Sequence, residues 1–226
     1  DRDYVQRVKA ASATDGGTPS RGAPVPAGGF EIATLAVGGT LTAIDAVLDG
    51  TVGNAYALVR PPGHHAEPDH GAGLCVFANA AVATRLAMRK HGLVRVAIID
   101  WDAHHGNGTE TAFYDDPSVL TVSVHQDLII PGRGAVADCG RDRGKGYNIN
   151  IPLPPGCGTG AYLAVMDRIV APALRRFRPE LILVASGAAA IGNEFAEGWE
   201  IVVDSNGNGV ADAADTQIRR FDALPA

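Results

Sequence analysis

Continuous apolar runs alternate with helix-like stretches along most of the chain. The segment Val94–Asp100 (VRVAIID) is mostly apolar, which is typical of a strand covered on both faces of a parallel sheet. Further strands are predicted at Ala55–Val59, Val119–Val124, Tyr147–Ile151 and Leu181–Ala185. Other stretches predict helices at 1–12, 30–49, 77–91, 106–114 and 159–177. Because strands and helices alternate, the pattern indicates an α/β fold with a parallel sheet.

The pattern changes after Gly187. The remaining residues contain no apolar strand followed by a helix. They predict a strand at Trp199–Val203, an Asx/Gly turn and a short strand at Thr216–Arg219. We therefore place a domain boundary near residue 188, with an α/β domain in residues 1–187 and a β-hairpin tail in residues 188–226.

Composition narrows the class of protein. Glycine and proline account for 28 and 14 of the 226 residues, and the segments 13–29 and 126–147, rich in turn-forming residues, are expected to be loops. A net charge of −6 without a basic tract argues against nucleic-acid binding. The polar first residues lack a signal-peptide core, and no apolar run reaches the ~18 residues of a membrane span. Three cysteines without a CxxC pair are expected to be reduced thiols of a cytoplasmic protein.

Candidate metal-binding residues follow two of the predicted strands. Asp100, Asp102 and His104 lie in the segment DWDAHHGNG, at the strand end where open α/β sheets place their sites. A carboxylate and an imidazole two residues apart can both reach one zinc ion. His64 and His65, in RPPGHHA, follow another strand, and one of them could act as general base to a zinc-bound water. The second carboxylate, Asp100, could orient a histidine.

Five motifs occur in an order that resembles the histone deacetylase family: RPPGHHA, GAGLCVFANAAVA, DWDAHHGNGTE, VLTVSVHQD and GKGYNINIPLPPG. The resemblance extends over about residues 3–187. It is nearest to bacterial class II histone deacetylase-like amidohydrolases and acetylpolyamine amidohydrolases. It implies an arginase-like, mostly parallel sheet with helices on both faces, and hydrolysis of acetyl-amide bonds with one zinc ion. Relative to the family, the domain is expected to be truncated at both ends and the sheet to be incomplete.

The resemblance implies roles for the matching residues. Asp102 and His104 would be zinc ligands. His65 would be the general base, and His64 would be its electrostatic partner, held by Asp100.

The resemblance also implies supporting contacts around these residues. Asn107 would support the general base from behind. A structural potassium ion would be held by the Ser123 hydroxyl and by the backbone carbonyls of Asp100, Asp102 and His104.

The chain departs from the family pattern in several places. The family's third zinc ligand is an Asp in a motif of the type SAGFDA, whereas this chain has ASGAAA, with Ala189 at that position. The family's oxyanion-stabilising Tyr belongs to a later Gly-rich motif that this sequence does not contain. In the substrate channel Gly73 would lie at the mouth, but Leu74 and Ile130 replace the usual Phe residues. These departures predict weak activity and an open channel.

A replacement zinc ligand could come from a partner subunit or from Asp204, Asp212 or Glu194. The tail GWEIVVDSNGNGVADAADTQIRRFDALPA resembles the carboxyl-terminal end of minor pseudopilins of type IV pili and type II secretion. This second resemblance implies a fusion of two unrelated fragments. The tail also fits a calcium-loop template, but it lacks flanking helices and has Asp at the last position, which favours an Asx/Gly turn without calcium.

Two classes of function follow from these observations. The first is a zinc-dependent hydrolase of small acyl substrates, acetyl-amides or short-chain esters. The second is a catalytically impaired deacetylase-fold remnant or a module that binds acetylated ligands. Turnover of substrate discriminates between them. The exposed sheet edges of a truncated domain also predict a homo-oligomer.

Overall fold

The computed structural model describes residues 1–187 and the backbone of residues 198–203. Its strands are β1 (Gly17–Ser20), β2 (Ala23–Val25), β3 (Asn54–Ala57), β4 (Val96–Asp100), β5 (Val119–Gln126), β6 (Asn148–Leu153), β7 (Leu181–Gly187) and β8 (Gly198–Val203). Its helices are α1 (Arg2–Ser12), α2 (Gly29–Leu48), α3 (Asn79–His91), α4 (Asn107–Phe113), α5 (Thr159–Val165) and α6 (Ala171–Phe177). A 3₁₀ turn spans Asp142–Gly144. Every predicted helix and strand of residues 1–187 is present, with bounds that agree to within about two residues.

A six-stranded sheet lies at the centre, with the strand order β3-β8-β7-β4-β5-β6. The strands from β7 to β6 are parallel to one another. β8 runs antiparallel to both of its neighbours, β3 and β7. The predicted α/β fold with a mostly parallel sheet is therefore confirmed.

β4 is buried along its whole length because helices cover both faces of the sheet. Ile98 belongs to a core cluster with Ile44 of α2 and with residues of α3. Ile99 belongs to the cluster on the other face, with Leu174 of α6. Burial of one side chain of this size stabilises the fold by about 1.5–3 kcal/mol. The two layers thus hold β4 in the middle of the sheet and bring its carboxyl end, Asp100, to the sheet edge.

The expectation that residues 13–29 form a loop is wrong in part. β1 and β2 pair as an antiparallel hairpin within this segment. Val25 packs with Tyr4 and Val8 of α1, and all three side chains are buried. The hairpin is too short and too rich in glycine and proline to show an alternating pattern, so contacts with α1 rather than strand propensity stabilise it.

The predicted helix 159–177 contains a π-helical turn, Met166–Val170, between α5 and α6. Pro172 stands at the start of α6. Because proline has no backbone N–H and its ring crowds the preceding turn, a regular α-helix cannot pass through it unchanged. The wider π turn accommodates this position without ending the helical segment.

α2 is long and apolar enough to cross a membrane by length and composition, with a mean hydropathy of 1.5 over its best window. Its buried residues recur at helical spacing, at Ala33, Ala36, Thr40, Ile44 and Val47. Two of them, Ile44 and Val47, belong to the core under the sheet. Packing against the core accounts for the apolar residues on this face, whereas Ile32 and Leu35 of the same helix are exposed.

The predicted strand Trp199–Val203 is confirmed as β8. Its pairing with β7 extends from Gly198 opposite Gly187 to Val203 opposite Ile182. The second predicted tail strand, the calcium template, Ala189 and the candidate ligands Glu194, Asp204 and Asp212 lie outside the described residues. The domain boundary near residue 188 stays a prediction.

Candidate active site

The ends of β4 and β7 are tied together at the carboxyl edge of the sheet. The backbone N–H of Trp101 donates to the carbonyl of Ala185 over 3.1 Å. The indole Nε1 of Trp101 donates to Ser186 Oγ over 2.6 Å. These bonds hold the turn after Asp100 against the end of β7, as expected for a site at the carboxyl ends of parallel strands.

A small cavity of about 20 Å³ lies at this edge. Its polar lining includes His64, Asp100, Asp102 and Ser186. The volume is enough for one water molecule, and the lining offers it several hydrogen-bonding partners.

His64 and His65 are each held through Nδ1, but by different groups. Nδ1 of His64 lies 2.8 Å from Asp100 Oδ2. Nδ1 of His65 lies 2.7 Å from Asn107 Oδ1. The ring centroids of the two histidines are 4.0 Å apart. The structure therefore brings together both pairs that the resemblance implied, His64 with Asp100 and His65 with Asn107.

His65 is 6% exposed, and its environment favours the neutral imidazole. Burial lowers the pKa of His65 to about 4, and the nearby His64 adds to this effect, whereas the hydrogen bond with Asn107 opposes it. The ring is therefore neutral near neutral pH, and because its Nδ1 is engaged, Nε2 is the nitrogen that is free to act as a base.

The carboxylate of Asp102 lies next to the imidazole of His104. Oδ1 of Asp102 accepts the backbone N–H of His104 over 2.8 Å and lies 3.1 Å from His104 Nδ1. Burial disfavours the charged carboxylate, but the hydrogen bonds from His104 and the influence of His64 outweigh it, so the pKa of Asp102 is lowered. A carboxylate that stays ionised beside an imidazole nitrogen is a suitable pair of zinc donors.

The described residues match a catalytic zinc site in donor type but not in donor number. Among them, no group of three or more His, Cys, Asp or Glu side chains is arranged to hold a metal ion. Catalytic zinc sites have three protein ligands. Asp102 and His104 would supply two, and a third would have to come from outside the described residues.

Two glycines are required by the close approach of backbone to the site. Gly73 has φ +53°, and a Cβ there would collide with Cδ2 of His65. A Cβ at Gly187 would collide with Oδ2 of Asp102. Gly73, predicted at the channel mouth, therefore lies directly against the candidate base.

The other predicted channel residues form an open apolar rim. Leu74 is 56% exposed and Ile130 is 69% exposed. Leu74 follows Gly73, while Ile130 lies in the loop between β5 and β6. Exposed aliphatic side chains at these two positions do not form aromatic walls, and the open channel itself stays a prediction.

Ser123, the side chain named for the potassium site, lies in β5 next to the DWDAHHGNG motif. Its Oγ is 2.9 Å from Nδ1 of His125 and 3.5 Å from the backbone nitrogen of Gly106. Potassium binding at Ser123 and the neighbouring carbonyls of Asp100, Asp102 and His104 stays a prediction.

A buried polar cluster beside the site was missed by the sequence analysis. Glu110 of α4 accepts hydrogen bonds from the amides of Asn148 and Asn150, over 2.8 and 2.7 Å. It also lies 3.3 Å from His105 Nε2. Burial opposes ionisation, but the hydrogen bonds from His105 and the two asparagines outweigh it, and the pKa of Glu110 is lowered. The cluster anchors α4, whose first residue is Asn107, to β6.

Glu67 and Arg133 also contact the site and were missed. Oε1 of Glu67 accepts from Asn107 Nδ2 over 2.7 Å and from Arg133 Nη1 over 2.8 Å. The position of Glu67, two residues after His65, was a usable local signal. Arg133 gave none, because the long loop that contains it has no regular pattern.

Comparison with known proteins is consistent with this geometry. A family profile described as the histone deacetylase domain matches residues 1–218. A histone deacetylase-like amidohydrolase from Pseudomonas aeruginosa is 52% identical over 185 residues, which are 81% of this chain and 49% of that protein. A probable deacetylase from Archaeoglobus fulgidus is 44% identical over 82% of this chain and 51% of its own length.

A solved structure, the crystal structure of the HDA15 HD domain, has the same fold. It superposes with a TM-score of 0.77 at 34% sequence identity, over 83% of this chain and 54% of that chain. The chain thus spans about half the length of these two curated relatives. The family profile extends beyond the predicted boundary near residue 188.

Proposed function

The chain belongs to the histone deacetylase domain family, and from this premise we propose that it hydrolyses small acyl substrates, acetyl-amides or short-chain esters, with His65 as general base. The observation that carries the proposal is the pairing of two adjacent histidines with different partners. His64 is bonded to the carboxylate of Asp100, and the buried His65 to the amide of Asn107.

The two histidines are suited to different parts of one reaction. His65 keeps a neutral ring and receives a proton from the attacking water at Nε2. Asn107 holds the ring in place through Nδ1 during this transfer. The carboxylate of Asp100 balances positive charge on His64, which stabilises the negative charge that develops on the substrate.

Zinc is the metal that the donor pair Asp102 and His104 fits. When bound, zinc supplies Lewis-acid polarisation of the acyl carbonyl and activation of water. Asp102 is an ionised carboxylate in this site, because its pKa is lowered. Because the described residues supply two ligands, we expect weak metal retention and slow turnover.

The third ligand is the open part of this proposal. Glu194, Asp204 and Asp212, the candidates from the sequence, lie outside the described residues, and a partner subunit is the other candidate source.

The test is release of acetate or alcohol from an acetylated lysine peptide and a p-nitrophenyl ester by the purified chain. The proposal predicts turnover that is lost in His65→Gln and retained in His70→Ala. His70 is a matched control because it lies in the same loop, paired with Asp69 at the surface. No turnover by the wild-type chain supplied with zinc would contradict the proposal and favour an impaired or binding-only domain.

A further inference from the structure

The side-chain amide of Asn107 has a defined orientation because it contacts two different groups. Its Oδ1 lies 2.7 Å from Nδ1 of His65. Its Nδ2 donates to Oε1 of Glu67 over 2.7 Å and lies 3.4 Å from the backbone carbonyl of His65. Asn107 is 4% exposed, so water does not compete freely for these contacts.

Glu67 determines which end of that amide faces the histidine. A carboxylate only accepts hydrogen bonds, so the NH₂ group of Asn107 must face Glu67. The amide oxygen must then face His65. Because this oxygen only accepts, Nδ1 of His65 has to carry the hydrogen, and the lone pair of the neutral ring is left on Nε2.

Glu67 is itself held by two donors. Arg133 Nη1 donates to the same Oε1 over 2.8 Å, and Thr111 Oγ1 donates to Oε2 over 3.3 Å. Nη2 of Arg133 also lies 3.7 Å from Glu110 Oε1. Arg133 thus connects the loop between β5 and β6, which also carries Ile130, to the residues behind the candidate base.

We propose that Glu67, held by Arg133, is a positioning residue that fixes the tautomer of His65 through the amide of Asn107. The effect of Glu67 on turnover rests on the proposed function, because the tautomer of His65 affects the rate only if His65 acts as the base. His64 needs no such relay, since its Nδ1 meets the carboxylate of Asp100 directly.

The first test measures the tautomer without catalysis. Long-range ¹H–¹⁵N spectra of the metal-free full chain at neutral pH distinguish protonated Nδ1 from protonated Nε2. The His65 signals are assigned by their loss in His65→Gln. We expect a single Nδ1–H form in the wild-type chain and in Arg141→Ala. Arg141 is a control from the same loop as Arg133, and its substitution breaks a surface ion pair with Asp115. Glu67→Ala should show a mixture of both tautomers.

The second test measures turnover of an acetyl substrate. Glu67→Ala should lower kcat by about 10–100-fold, the usual effect of losing such a supporting contact. KM should change little, because Glu67 is proposed to act only through Asn107 and His65. Glu67→Gln should restore most of the activity, since its amide oxygen can still accept from Asn107. Arg133→Ala should give a smaller loss than Glu67→Ala.

The outcomes separate the two proposals. If Glu67→Ala folds but keeps a single Nδ1–H form and wild-type kcat, the positioning role is overturned. If Glu67→Ala only lowers thermal stability and leaves the ring signals unchanged, the role is structural and the proposal also fails. If the wild-type chain turns over no substrate but the tautomer shifts in Glu67→Ala, the relay holds and the proposed function does not.

Discussion

His64 and His65 are consecutive residues with ring centroids 4.0 Å apart, yet one is bonded to a carboxylate and the other to a neutral amide. The difference comes from two elements that meet at the sheet edge. Asp100 ends β4, while Asn107 begins α4 seven residues later. Two identical side chains are thereby held by chemically different partners, which under the proposed function suits one as base and the other as electrostatic partner.

The lowered pKa of His65 predicts a pH-dependent stability. Its pKa is about 4 in the folded chain against 6.5 ordinarily, so between these values the unfolded chain binds the proton and the folded chain does not. Acidification therefore destabilises the fold through His65. Between pH 7 and pH 5 the metal-free wild type should lose about 2 kcal/mol more unfolding free energy than His65→Gln.

Urea unfolding at the two pH values measures this difference, and His70→Gln is the control. His70 is a histidine outside the site, half-exposed and paired with Asp69 at the surface. Equal losses in the wild type and His65→Gln would show that His65 does not stay neutral in the folded chain.

Gly73→Ala should disturb the site more than a loop glycine of similar backbone conformation. A Cβ at Gly73 collides with the His65 ring, whereas Gly132, with φ +73°, has no atom within 4 Å of such a Cβ. Each Ala substitution costs about 1–2 kcal/mol for its left-handed backbone. We expect Gly73→Ala to lose at least about 10-fold in kcat, because displacement of the base disrupts the reacting geometry.

Gly132→Ala should keep wild-type turnover, although the backbone cost should lower its free energy of unfolding about as much as in Gly73→Ala. Thermal unfolding and initial rates, measured on both variants, test the pair. Equal kcat values would mean that the ring of His65 moves freely away from Gly73 and that the close contact has no functional consequence.

The open rim predicts a preference for activated esters over acetyl-lysine. Leu74 and Ile130 are exposed and cannot clamp an alkyl chain between aromatic faces. An ester with a good leaving group also needs less help in bond cleavage than an amide. The chain should therefore hydrolyse p-nitrophenyl acetate faster than an acetylated lysine peptide, by kcat/KM.

The double variant Leu74→Phe/Ile130→Phe should reduce the preference for the ester by lowering KM for the peptide. Val136→Phe serves as the control, because Val136 is another exposed apolar residue in the loop that carries Ile130. A wild-type chain that turns over the peptide as well as the ester would contradict this account of the rim.

Local sequence patterns predicted the strands that build the site. β4 and β7 have apolar side chains buried on both faces, so each is a nearly continuous apolar run, whereas β5 alternates apolar residues with the buried polar Thr121 and Ser123. Asp100 and Asp102 were identifiable because polar residues directly follow such a run. The hairpin of β1 and β2 was missed because α1 stabilises it through Val25, a contact distant from the strand pattern itself.

Contacts between loops account for what the sequence did not predict at the site. His64, His65 and Asn107 belong to recognisable motifs, and the structure brings them together. Arg133 reaches Glu67 across 66 positions of the chain. An ion pair between two irregular loops leaves no periodic signal, and it is visible only once the fold is known.

The central claim is that Asp102 and His104 bind a catalytic zinc ion next to the base His65. The most direct measurement is the zinc content per purified full chain, with p-nitrophenyl acetate hydrolysis followed before and after chelation. Asp69→Ala is the matched control for Asp102→Ala, since Asp69 also pairs with a histidine, His70, but at the surface. The account predicts that the chain, when supplied with zinc, binds about one zinc ion and that chelation abolishes its hydrolysis. Both the bound zinc and the hydrolysis should be lost in Asp102→Ala and kept in Asp69→Ala. Hydrolysis that persists in Asp102→Ala and after chelation would contradict it.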